Sequence, residues 1–391
     1  MVFYIFAQLM AGKSVIIKHM QRWQKDVYAF GIIAGSIIGV GFFSLPYIAA
    51  RVGLPIMIGF FIFLGIFAVI EHMIFTEVAI RTPDYMRLPG FARHYLGKPG
   101  EIFSYITTLG TSFFGLLAYM LVGGEFLNEL LKPFLPFTQT QYSLAYFAIG
   151  AILIFIGVEI VSKISLVTVL LFLAILAIIS IAVMPHFNPA NLAIRIGTMS
   201  DLLLPYGAIV FALWGLGLIP EAEEFLREDK KDLRKIVPLA VLIPFLVYIF
   251  FTVLILGVVG PNVSESAIAG LGAIIGPKVY SLALALGIIC TFNAFVVMGL
   301  TLKKVLHYDL KLNKFLSWIL VCLVPILMYC MGFRSFLTVT SFIGGVVMGL
   351  EGILILFMYK KLFPNRFNIW PLAIIFILGM ISQILIFFKF I

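Results

Sequence analysis

The sequence predicts an all-α polytopic membrane protein, built from two oppositely oriented repeats of five spans and one further span. Three observations predict this. Of 391 residues, 62% are hydrophobic and only 12% charged, which is more apolar surface than one soluble core could hide. The apolar residues gather into eleven runs long enough to cross a bilayer. The first and the sixth runs are each interrupted part-way by glycines, at corresponding places of two units of nearly equal length.

The runs lie at 26–50, 54–80, 101–131, 144–162, 164–184, 201–222, 236–259, 274–302, 315–332, 336–360 and 367–388. Basic residues test that map, because short cytoplasmic connections hold most of them. With the N-terminus inside, 21 of the 27 Lys and Arg residues fall on the cytoplasmic side, in clusters such as Lys13 to Lys25, Arg227 to Lys235 and Lys303 to Lys314. Only Arg51, Lys132, Arg195, Lys278, Arg334 and Lys389 fall elsewhere. The chain is therefore expected to be a multi-pass protein of the cell membrane, N-terminus cytoplasmic and C-terminus outside. This topology also accounts for the net charge of +9, so no nucleic-acid partner is inferred.

Residues 1–25 read as a cytoplasmic leader, since the apolar stretch 2–11 is too short to span and has no basic residue before it. Residues 26–391 read as one transporter domain: repeat one 26–184, repeat two 201–360 and an extra, peripheral span 367–388. Five spans being odd, the second repeat starts from the opposite face. Cys290, Cys322 and Cys330 lie inside runs without metal-ligand spacing and read as small apolar core residues. The stretch from Glu221 to Lys235 reads either as a solvated amphipathic linker or as a gate latch against basic loops.

The first interruption is Gly35-Ser36-Ile37-Ile38-Gly39-Val40-Gly41, followed by Leu45-Pro46. A bilayer offers backbone groups no water, so a helix broken at mid-depth is tolerated only where protein or a polar cavity satisfies it. A helix restarting near Val40 presents unpaired N–H groups and the positive end of its dipole, which suit a carboxylate. The second interruption is Phe211-Ala212-Leu213-Trp214-Gly215-Leu216-Gly217. The carbonyls of Ile37, Phe211, Ala212 and Trp214 would face an ammonium group, with Gly39 and Gly215 opening the two breaks. Donors and acceptors across one cavity match a zwitterion, so the expected substrate is an α-amino acid. The apolar, aromatic surroundings favour a neutral or aromatic one. The competing reading is that Gly35 and Gly39 form a G-x-x-x-G packing contact and nothing more.

The first-helix run resembles the signature of the amino acid-polyamine-organocation superfamily. Thr76 to Pro83, Leu96-Gly97-Lys98 with Gly100-Glu101, Ile243 to Tyr248, Met298-Gly299-Leu300 and Val324-Pro325 are similar to its amino acid/auxin permease branch, which includes bacterial tyrosine and tryptophan permeases. The resemblance covers nearly the whole chain after residue 26. It implies a LeuT-type fold and ion-coupled secondary transport by alternating access. It assigns the amides of Val40 and Gly41 to the substrate carboxylate, the carbonyls named above to the ammonium, and Phe211 to the aromatic that covers the substrate. Tyr119, half-way along span three, is a second wall or simple packing.

No resident cofactor is expected; the coupling ion is H+ or Na+. A sodium site would use the carbonyls of Gly35 and Ile38 with the hydroxyl of Thr291. The resemblance also offers a lysine amine on span five in some proton-coupled relatives, but Val169 to Phe172 contains none. Glu351, deep in span ten, is either a proton carrier or a neutral acid bonded to a neighbouring helix, whereas Glu71 and Glu125 read as locally paired. A channel would need pore-lining rings and an enzyme a constellation of His, Asp or Ser inside the spans; neither is present in the sequence. An amino acid sensor of the same fold and an exchanger without ion coupling remain the alternatives.

Overall fold

The computed structural model describes residues 21–83, 85–157, 165–192, 197–268, 271–365 and 368–388, and every regular element among them is helical. Residues 1–20 of the expected leader lie outside the described residues. Arg22 to Lys25, assigned by sequence to the leader, instead form the first turn of α1 (Arg22–Ile37), because Gln21 and Gln24 make a reciprocal cap ahead of the apolar run.

After α1 the chain loses helical form for three residues, makes a 3₁₀ turn at Gly41–Ser44 and resumes as α2 (Leu45–Val52), bent 46° from α1. Then come α3 (Leu54–Arg81) and α4 (Leu88–Leu131). The 28 residues of α3 rise roughly 42 Å at 1.5 Å each, more than the ~30 Å of a hydrocarbon core. Within α4, Gly97 has φ 73°, a left-handed conformation that separates a short surface helix from the span that follows it. Next are α5 (Gln139–Ile156), capped by Thr138 and Gln141, and α6 (Ser165–Val183).

The second half holds α7 (Met199–Ala212) and α8 (Ile219–Leu226), separated by an irregular stretch and a 3₁₀ turn, then α9 (Leu233–Val259), the short α10 (Gly272–Ile275), α11 (Pro277–Lys304) and α12 (Lys314–Cys330). The chain closes with α13 (Phe336–Phe342), α14 (Met348–Leu362) and α15 (Trp370–Phe387). Between α13 and α14 lies a π-helical turn, Ile343–Val347. Counting α1–α2, α7–α8 and α13–α14 as one interrupted span each, these helices supply the eleven spans the apolar runs predict.

The helices sort into two packed groups. α1–α2, α3, α7–α8 and α9 pack on one another, as do α4, α5, α11 and α12. α6 touches α1 on one side and α11 on the other, while α13–α14 touch α3 and α7 as well as α4. The fifth and the tenth spans thus bridge the groups. Ile62, Ile66, Ile106, Ile152 and Ile181 point away from the interior, as lipid-facing positions should. α15 is attached through the buried ring of Phe376 and through Gln383, whose Nε2 donates to the Leu203 carbonyl at 2.8 Å.

The charged stretch after span six is paired instead of simply solvated. Arg22 donates twice to Asp232, at 2.7 and 2.5 Å, Lys25 reaches Asp229 at 2.9 Å, and Arg234 donates to Glu77 at 2.6 Å. Lys230 reaches Glu223 at 2.8 Å. These pairs join α1, α3, α8 and α9, all members of the first group, so they stiffen that group from within.

Candidate functional site

Both glycine interruptions are real breaks. In the first, the Ile38 amide makes the last α-helical bond, to Ala34 at 2.9 Å, and the Gly39 amide turns back to the Ile37 carbonyl at 2.7 Å. Among the described residues no N–H reaches the carbonyls of Gly35, Ser36 or Ile38, and the amides of Val40 and Gly41 donate to no partner. The break therefore leaves backbone acceptors beside backbone donors. The Ile37 carbonyl, expected to face an ammonium, accepts both the Gly39 amide and the hydroxyl of Tyr248, the latter at 2.7 Å. Tyr248 is fully buried on α9, and its O–H must find an acceptor there.

In the second break, the Leu213 amide closes α7 on Ile209, and Trp214 bonds loosely to the Phe211 carbonyl at 3.4 Å. The next amide, of Gly215, donates to Nε2 of His72 on α3 at 3.1 Å. The other ring nitrogen, Nδ1, lies 2.7 Å from the Ala68 carbonyl. A carbonyl can only accept and an amide N–H can only donate, so the ring is neutral with its proton on Nδ1. His72 is thus a fixed acceptor that holds the second break open. His72 falls within the apolar run 54–80, and nothing in the sequence marks it for this role.

The breaks meet face to face. A Cβ added to Gly41 would lie 2.7 Å from the Ala212 Cα and 2.8 Å from the Phe211 ring, and one on Gly215 would lie 2.4 Å from the Ile37 side chain. Close packing and broken backbone are here one arrangement, because two interrupted helices cross only where neither carries a side chain. Phe211 lies against Gly41, and the Tyr119 hydroxyl would be 3.1 Å from a Cβ on Gly39. Trp214 sits edge-on to Phe376, ring centres 6.5 Å apart.

Beside the first break is a cavity of about 40 Å³, room for a few waters. Ile38, Gly39, Tyr119, Phe172, Phe251 and Thr291 are among its walls. An aromatic amino acid is larger, so its entry requires these walls to part. Thr291 donates to the Ile288 carbonyl at 3.1 Å and accepts from Tyr146 at 3.2 Å, leaving its oxygen one lone pair toward the cavity. Cys290 also lines this cavity, while Cys330 is exposed on the outer surface; neither is the closed core position expected, because the faces of α11 and α12 they occupy point to the cavity and outward.

The buried acids differ from one another. Glu125 accepts from Ser266 at 2.6 Å, and Glu351 lies 3.5 Å from the Thr111 hydroxyl. Glu71, expected to be locally paired, has no hydrogen-bond partner among the described residues for either carboxyl oxygen, although it is only 1% exposed. The basic residues that could have paired with it lie at the helix ends, bound to other acids.

The sequence profile of the tryptophan/tyrosine permease family matches residues 24–388. The chain belongs to that family. A curated relative, tyrosine-specific transport system 1 of Haemophilus influenzae, is 26% identical over 215 residues, covering 54% of this chain and 52% of that protein. The chain thus spans about half the length of the curated relative it matches. Among solved structures, the inward-facing conformation of Mhp1 superposes with a TM-score of 0.69 at 13% identity, over 93% of this chain and 89% of that one. MhsT in complex with L-phenylalanine superposes at 0.62 with 15% identity, over 94% and 98%. These likenesses show the shared fold, the LeuT type with broken first and sixth spans.

Proposed function

We propose that this permease is a secondary active transporter of neutral, aromatic α-amino acids, working by ion-coupled alternating access. The observation that carries the reading is the meeting of the two breaks. Unengaged amides at Val40 and Gly41 and unengaged carbonyls at Gly35, Ser36 and Ile38 lie along a single break, which borders an aromatic-walled cavity through Ile38 and Gly39; this suits a zwitterion with an aromatic side chain. The carboxylate would take the amides, the ammonium the carbonyls of the two breaks, including Phe211, Ala212 and Trp214, and Phe211 with Tyr119 would flank the side chain. Membership in the family and the relative named for tyrosine transport support this substrate class.

The same reading places the family in the amino acid-polyamine-organocation superfamily, with residues 26–184 and 201–360 as the inverted repeats. Basic-residue asymmetry supports an N-terminus on the cytoplasmic side of the cell membrane. A sodium seat at Gly35, Ile38 and Thr291 would add a hydroxyl already engaged by Ile288 and Tyr146, which makes it the weaker coupling reading.

Counterflow in proteoliposomes tests the proposal. Labelled L-tyrosine, L-tryptophan and L-phenylalanine are expected to exchange, and L-lysine and L-glutamate are not. Binding without exchange of any of them would identify a sensor of the same fold, and exchange indifferent to imposed pH and sodium gradients would identify an uncoupled exchanger.

A further inference from the structure

We propose that Glu71, on a helix packed against the one that carries Glu351, is a proton-binding site that reports to the second helix break through His72. The inference deepens the transport reading above and rests on it. Its first support is geometric. Glu71 is buried on α3 with both carboxyl oxygens unpartnered among the described residues, and it borders a second cavity of about 10 Å³, room for a single water. The opposite walls of that cavity are Val210, Leu213 and Trp214, at the second break.

The second support is the company Glu71 keeps. α3 is packed against α2, α7, α8, α9 and α14. α14 brings Glu351 into the same packed interior, and α7 brings Tyr206, whose buried hydroxyl has no partner among the described residues. On α3 itself the neighbour is His72, neutral and fully engaged with Ala68 and Gly215. Of the charged groups on the remaining elements, Arg51 of α2 is bound to Asp201, Glu221 and Glu224 of α8 to Arg87, Glu223 of α8 to Lys230 and Arg234 of α9 to Glu77, Lys235 of α9 is exposed at the surface, and the Tyr248 hydroxyl of α9 is bonded to Ile37. Two buried acids thus lie on helices packed against each other, with no cation bound to either among the described residues, and acids that interact in such an interior ionise one after the other. The step is a proton binding reversibly to a carboxylate oxygen to give the neutral acid; no other bond changes.

The third support is position. Glu71 belongs to the first helix group and Glu351 to the tenth span, which bridges the two groups, while Thr111 beside Glu351 belongs to the second. A charge appearing at this seam favours separation of the groups or entry of water, and neutralising it favours closure. Residue 72, next in the chain, carries that movement to Gly215.

The experiment uses the purified full-length chain in proteoliposomes with labelled L-tyrosine, reading counterflow at equal pH and accumulation under an acid-outside gradient. The wild type is expected to do both; lack of counterflow in the wild type defeats the transport reading itself and is seen before any variant is made. Each pH unit of gradient sustains about a tenfold concentration ratio for a one-proton carrier, and Glu71→Gln should lose that tenfold while keeping counterflow. Glu71→Asp should keep both, and Glu351→Gln should move the pH profile of accumulation toward acid, because Glu71 then ionises without a negative neighbour. Gradient-driven accumulation by Glu71→Gln at the wild-type level would overturn the proposal. So would loss of counterflow together with accumulation in a monodisperse Glu71→Gln protein, or wild-type accumulation that follows sodium and ignores pH. If Glu71→Gln does not fold, Glu351→Gln decides, and an unchanged pH profile refutes the pairing.

Discussion

The residue on which the second break most depends is His72. Its Nε2 is the acceptor for the Gly215 amide, 143 positions away in sequence, and without it that N–H would be buried and unpaired. Leaving a buried donor unsatisfied costs about 1–3 kcal/mol. His72→Ala is therefore expected to lower the thermal unfolding midpoint in detergent and to shrink the upward shift on adding L-tyrosine, since the site loses its shape. Gln sets a carbonyl oxygen near the place of Nε2, so His72→Gln should recover part of both. Equal midpoints and equal ligand shifts for wild type and His72→Ala would show that the contact contributes nothing. The glycines of the breaks were legible in sequence because backbone interruption requires particular residue types. Their partners were not, since Tyr248 and His72 look like ordinary residues of apolar helices until the fold brings them within hydrogen-bonding distance of Ile37 and Gly215.

At the scale of elements, what could be read from sequence is what depends on local composition. Spans follow from apolar runs, and both breaks from their glycines. The turn of π-helix at Ile343–Val347 contains its own signal, Gly344-Gly345, but its cause is tertiary: a Cβ on Gly344 would lie 1.9 Å from the Gly207 carbonyl of α7, so α13–α14 must deform to pass. Pairing between elements was equally hidden, as with the start of α1 and the loop before α9. There the Arg22 guanidinium, hydrogen-bonded to Asp232, holds its carboxyl below the usual carboxylate range. An acid depressed in the folded state stabilises above its unfolded value, about 3.9, and loses that contribution only as pH falls through the lower folded value. Across neutral and mildly acidic pH the pair is thus fully formed and cannot be the source of any transport pH dependence there. Asp232→Asn should lower the unfolding midpoint by a constant amount from neutral pH down to the carboxylate range, and the two curves should converge only below it. A difference that vanishes already near neutral pH would contradict the assignment.

For the whole molecule, the arrangement of two groups joined by two bridging spans gives transport a mechanical outline. In the proposed transport cycle the first group, stiffened at its basic end by its internal ion pairs, would move as a body, and α6 and α13–α14, which touch both groups, would have to yield. The cavity beside the first break, walled by residues of α6 and α11 as well as the broken helix, is where that movement would be felt. Cys290 is one of its walls and therefore a native reporter. With Cys322 and Cys330 replaced by Ser, a membrane-permeant maleimide can report only on that position. In this conformation the space of about 40 Å³ is too small for the reagent, so labelling requires the walls to separate and its rate measures how often they do. L-tyrosine binding between the breaks would fill the opened space and draw the walls in, so labelling should slow in proportion to occupancy, and L-lysine should leave it unchanged. A rate insensitive to L-tyrosine at concentrations that saturate binding would mean that the substrate does not enter this cavity, and the site would then have to be sought on the other side of the crossing, toward Trp214 and Glu71.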